Sequence, residues 1–213
     1  MQIRAGFRIG YECYQPTPIL LMLDVHPSRQ GDLLTQQNLH FDRDVQPQTY
    51  LDGFGNVCTR ILAQPGITYV STSFDIQDSG LPDEVDWNAI QHEVQDLPDD
   101  ILVYLLGSRY CDTDRLSNFA WSMFGSTPPG WGRVQTICDY VHNHIAFNYQ
   151  NADSTRSAHG GWIDRTGVCR DFAHLAVTLC RCMNIPARYC TGYLGDIGVP
   201  PADAPMDFSA WFQ

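Results

Sequence analysis

The residue with the clearest chemical potential is Cys169, within TGVCRDFAHLAVTLCRCMN at residues 166–184. Apolar side chains recur there at Phe172, Leu175, Ala176, Leu179 and Met183, the i, i+3, i+4 spacing of a buried helical face. The spacing predicts a helix with Cys169 in its first turn. Gly167 lets the backbone turn sharply before it, Asn184 supplies a left-handed terminal residue, and Pro186 forbids continuation. A thiol at such a start meets the partial positive charge of unpaired backbone N–H groups, which favours thiolate. Arg170 pushes the same way. Asp171 pushes back, although a carboxylate there also serves to cap those N–H groups. Against this stands the plain alternative that Cys169 is one more small buried apolar residue. Position alone does not separate the two.

An ordinary thiol of pKa ~8.5 is only about 3% ionised at pH 7. A helix N-terminus that lowers it by ~1 unit raises this to roughly a quarter. A neighbouring imidazole normally does the rest, holding the thiolate and then protonating the leaving amine. His174, five residues on, lies about 140° round the helix and is expected to face away from the cleft. His159, in the approach to Cys169, is the weaker alternative base. His142 and His144 are two apart on a helix, pointing about 200° from one another, so they cannot share a metal. Cys180 and Cys182 likewise diverge, whereas zinc needs ligands converging at ~2.3 Å. No metal or cofactor is expected.

The elements around this stretch fall into three regions. Residues 1–78 read as five or six short strands, with DGFGN at 52–56 marking a hairpin. With no helix among them, they predict an antiparallel β-sandwich. Residues 79–110 are acidic and proline-punctuated, and are expected to connect the two domains without a calcium-loop pattern. From 111 the period turns helical. Asp112 or Thr113 caps a helix with Leu116, Phe119, Ala120, Met123 and Phe124 on one face, ended by Gly125. Thr127 and two prolines open a second helix carrying Trp131, Val134, Ile137, Cys138, Val141 and Ile145. Residues 147–166 are polar and turn-rich, the expected lining of a cleft. Strands follow at 187–194 and 207–213, separated by a proline-rich loop at 195–205.

Composition narrows the possibilities further. The chain has 213 residues, 44% hydrophobic and 17% charged, enough for a sizeable core. A net charge of −11 argues against a nucleic-acid footprint and against anionic lipid surfaces. The aliphatic run at 19–23 is far too short to span a bilayer, and no secretory signal is evident. The eight cysteines are scattered without a CxxC pair, so free thiols and a cytoplasmic location are expected.

Three blocks in order, GVCRDFAHLA, NIPARYCTGYL and PMDFSAWFQ, resemble the transglutaminase-like superfamily over about residues 115–213. The resemblance implies a papain-like α+β core behind the β-sandwich, with Cys169 as nucleophile. It also implies that the sequence stops inside the core, before a strand bearing the family's aspartate. The family's histidine falls at Ser209, whose hydroxyl does not titrate near neutral pH. Loss of such a base typically costs on the order of 10²–10⁴ in rate. Two functions are therefore expected. One is thiol chemistry on a peptide or protein amide, by hydrolysis or by acyl transfer from Gln to an amine, with Trp162, Arg170 and Trp211 binding substrate. The other is a catalytically inactive peptide-binding module.

Overall fold

Side chains alternate in burial along β1 (Gln2–Cys13), as a strand with one covered face requires. The computed structural model describes residues 1–194, 200 and 207–213. They divide into two compact units, Met1–Pro82 and Asp83–Gln213. In the first, β1 is followed by β2 (Thr17–Leu21), β3 (His40–Phe41), β4 (Gln48–Leu51), β5 (Val57–Ala63) and β6 (Gly66–Gln77). They form two antiparallel three-stranded sheets, in the orders β1-β6-β3 and β2-β5-β4. Leu21 and Ile61 from one sheet and Val70 from the other meet in one core cluster, with Phe7, Ile9 and Phe41 against it. The hairpin expected at 52–56 joins β4 to β5, where the Asp52 carboxylate accepts the Phe54 and Asn56 N–H groups at 2.8 and 2.9 Å. Between β2 and β4 the only pairing among the described residues is β3 and one bridge from Leu33 to Ile76. A 3₁₀ turn over Pro27–Asp32 precedes it.

The second unit begins with residues 83–110, expected above as an acidic connection, which carry specific contacts within the unit. The Gln91 amide donates to the Met183 carbonyl at 2.8 Å and its oxygen accepts from the Arg133 guanidinium at 2.7 Å. Gly130, at φ 90°, passes so close to Ala89 that a Cβ would lie 2.1 Å from its carbonyl oxygen. After this segment come α1 (Thr113–Phe124), α2 (Trp131–His144), β7 (Ala146–Phe147), α3 (Ala158–Asp164), β8 (Thr166–Gly167), α4 (Cys169–Cys182), β9 (Tyr189–Gly192) and β10 (Ser209–Phe212). The second helix thus starts at Trp131, after the prolines and Gly130, rather than at Thr127. Asp112 precedes α1 but its carboxylate serves α3, accepting from the Ser157 hydroxyl at 2.9 Å and the His159 N–H at 3.0 Å. The expected loop over 195–205, residue 200 apart, lies outside the described residues.

The central helix is α4. Its spacing predicts one buried face, yet ten of its fourteen residues are buried, because α1, α2, α3, β9 and β10 all pack on it. Leu116, Ile137, Leu175 and Leu179 are among the wholly enclosed side chains, each contributing about 1.5–3 kcal/mol. The helix ends as its residues dictate: Asn184 adopts φ 60° and the Ile185 N–H returns to the Cys180 carbonyl at 2.9 Å.

Candidate active site

The turn entering α4 is fixed from beneath by a buried carboxylate. Asp171 is 1% exposed, and its Oδ2 accepts the Val168 N–H at 2.8 Å. It therefore satisfies one of the orphan donors at the helix start. Arg156 neutralises it: one guanidinium nitrogen lies 3.4 Å from Asp171 Oδ2 and also donates to the Thr166 carbonyl at 3.2 Å. Another lies 3.1 Å from Asp164. Gly167 is needed for a reason the sequence did not suggest. Its φ is not in the left-handed region; instead, a Cβ there would sit 2.4 Å from Asp171 Oδ2. The glycine admits the carboxylate.

Above this turn Cys169 is half-buried and borders a groove of about 320 Å³. Three elements wall it. From α4 come Cys169, Phe172, Ala173 and Ala176; from α2, Cys138, Val141 and His142; from β10, Ala210, Trp211 and Phe212. Both helical sets follow the i, i+3, i+4 spacing, so each is one stripe of its helix. Phe147 closes one side and is itself exposed. The groove is thus apolar apart from two thiols, one indole and one imidazole. Burial, followed by the Asp139 charge, pushes the Cys138 thiol up. Tyr189 of β9 stands close enough that burial and then the Cys169 sulfur push its phenol up.

The core domain of the Transglutaminase-like superfamily matches residues 118–213. Residues 118–213 belong to that superfamily. A candidate cysteine protease from Cytophaga hutchinsonii is similar along the whole chain. It is 27% identical with a TM-score of 0.80, covering 100% of this chain and 74% of that one. The periplasmic domain of TgpA from Pseudomonas aeruginosa is more remote, at 14% identity and a TM-score of 0.46 over 100% of this chain and 65% of that one. None of the curated protein sequences compared with the chain matches it.

Within this transglutaminase-like core the residues singled out from sequence separate into two places. Cys169 and Trp211 border the same groove. Arg170 follows Cys169, but its guanidinium turns to the Asp153 carbonyl at 2.8 Å. Ser209 opens β10 opposite Gly192, and the next three residues, not Ser209, line the groove. His159 and Trp162 lie elsewhere, on α3. The His159 Nδ1 lies 3.4 Å from the Arg115 guanidinium, and its ring is 5.9 Å from that of Trp162. Trp162 joins an aromatic cluster with Phe119, Tyr140 and His144, its indole N–H donating to the Tyr140 hydroxyl at 2.8 Å. Neither is among the residues lining the groove. The helix that carries them was missed because Gly160 and Gly161 are poor helix formers, although Ser157, which accepts the Gly160 N–H at 3.3 Å, was a legible cap.

His174 faces away from the groove, as its angle on α4 predicts. Its ring stacks on Tyr110 at 5.2 Å and lies 4.9 Å from Tyr189. Burial, then the Arg170 charge, pushes it down to about 4. Among the described residues no three His, Cys, Asp or Glu side chains converge as a metal site would require.

Proposed function

We propose that this protein acts on peptide or isopeptide amides through Cys169. Its proposed architecture is a β-sandwich ahead of a papain-like core. The single observation that carries the reading is the placement of Cys169: a half-exposed thiol at the start of a buried helix, bordering an apolar groove. The helix start presents unpaired backbone N–H groups beside the sulfur. The sulfur attacks the amide carbonyl, the amine leaves, and a thioester remains for water or another amine. The oxyanion has the Cys169 backbone N–H as one donor. Hydrolysis is the preferred outcome over crosslinking, in keeping with the similarity to a candidate cysteine protease. The test is turnover of fluorescently labelled casein by the purified protein and by Cys169→Ala. Turnover that survives the substitution would sink the reading.

One observation favours a second reading, a cleft that binds peptides without cleaving them. Ser209 occupies the family's histidine position and cannot supply an imidazole. Under that reading Ser209→His would create casein turnover in a protein that otherwise has none.

A further inference from the structure

We infer that His142 is the acid–base partner of Cys169, taking the part that Ser209 cannot play. The inference rests on the proposed nucleophilic role of Cys169, and three observations carry it. First, His142 and Cys169 border the same groove from facing helical stripes, Cys138/Val141/His142 on α2 and Cys169/Phe172/Ala173/Ala176 on α4. Second, the chain path brings the relevant helix ends together. α2 runs into β7, β8 runs into α4, and β7 pairs in parallel with β8, Ala146 opposite Thr166 and Phe147 opposite Gly167. His142 is thus four residues before one strand of that ladder and Cys169 two after the other. Third, the other histidines are engaged or placed elsewhere. The chain has seven. His26 and His40 lie in the first unit, and His92 is not among the groove's lining residues.

The remaining three are committed to other contacts. His144 uses both ring nitrogens, on the Tyr140 hydroxyl at 3.1 Å and the Trp162 carbonyl at 2.7 Å. His159 faces Arg115, and His174 is packed between Tyr110 and Tyr189. His142 alone is exposed and lines the groove. Its direction also agrees with the geometry of a helix: residues 142 and 144 point about 200° apart, so the ring buried against Trp162 leaves the other free to face α4.

The reaction then balances without a metal or cofactor. The His142 imidazole takes the Cys169 Sγ proton, and the sulfur forms a bond to the amide carbonyl carbon. The C–N bond breaks as the imidazolium returns that proton to the departing amine, leaving a thioester on Cys169. Water attacks the thioester and gives one proton to His142. The C–S bond breaks, the carboxylic acid departs, and the thiolate recovers the proton. Among the described residues the ionisable groups lining the groove are Cys138, His142 and Cys169, while Asp139 beside Cys138 and Arg170, Asp171 and Tyr189 beside Cys169 lie near without lining it. From β10 the groove receives only Ala210, Trp211 and Phe212.

The experiment is alkylation of the full chain by iodoacetamide at pH 6.5, with Cys169 followed by mass spectrometry, alongside casein turnover. His142→Gln is expected to slow Cys169 alkylation by about tenfold or more and turnover by about 10²–10⁴. His142→Ala is expected to lose the same activity and to regain part of it with added free imidazole, which a packing defect would not allow. His144→Gln, outside the groove, should leave Cys169 alkylation unchanged. Cys169 that reacts quickly in both the unmodified protein and His142→Gln would overturn the role of His142 while leaving the nucleophile intact. Cys169 that reacts no faster than Cys138 in the unmodified protein would overturn both.

Discussion

Two ends of one helix place the same atom in opposite surroundings. Cys169, in the first turn of α4, is half-exposed on an apolar groove beside an imidazole. Cys180 and Cys182, in its last turns, are buried, and desolvation pushes their thiols up to about 12 and about 11. A buried thiol keeps its proton because the thiolate loses its water without gaining a partner. The helix start instead offers unpaired N–H groups and an open side. The surroundings of a thiol in this protein are therefore decided by position along α4 rather than by residue type.

The sharpest way to break that contrast is to exchange the two thiols for alanine. Cys169→Ala is expected to lower casein turnover by at least about 10³-fold, whereas Cys180→Ala retains turnover and loses only packing. Equal losses would erase the distinction. The next largest effect concerns the support of the helix start. Asp171→Ala leaves the Arg156 guanidinium without its buried partner, and is expected to cost about 3–5 kcal/mol in urea unfolding.

His174 lies between the two ends and reports on burial by pH. Its folded value, about 4, is below its ordinary value of 6.5, so the unfolded chain binds the proton more tightly. The associated stability is fully present above pH 6.5 and is lost as pH falls towards 4. The full span corresponds to about 3 kcal/mol, at roughly 1.4 kcal/mol per pH unit. Thermal unfolding from pH 7.5 to pH 4.5 should show this slope, and His174→Phe should flatten it. Gly167→Ala sets a new Cβ against Asp171 Oδ2, and is expected to cost about 1–3 kcal/mol by chemical denaturation. The smallest effect is expected at the family's histidine position. If His142 is the base as proposed, Ser209→His should change casein turnover by less than about tenfold.

Much of this contrast could be read from residue order. Apolar spacing over 172–183 reveals α4, and Gly167, Asn184 and Pro186 bracket it. Alternation along 2–13 and 66–77 and the turn chemistry of DGFGN reveal the strands and hairpin of the first unit. These signals are legible because they are local: each arises within one or two turns of backbone, or across one tight loop. Arg133 shows where that stops. Nothing near it in sequence announces a buried guanidinium, whose partners Gln91 and Thr127 are supplied partly by a distant segment. His142 is a similar case. On its own helix it is merely polar; its meaning depends on α4 crossing beside it.

The sequence by itself determined where a reactive sulfur could stand, since a glycine-led turn, a capping carboxylate and an apolar repeat are all short-range features. The tertiary structure alone decided what shares a groove with it. Trp162 and His159, close to Cys169 along the chain, went to an aromatic cluster, while His142, 27 residues before it, came to line the groove. The reason is that a helix or strand fixes only the direction of its own side chains. Which directions converge is set by packing, here by β7 and β8 pairing in parallel and by α1, α2, α3 and β10 closing around α4.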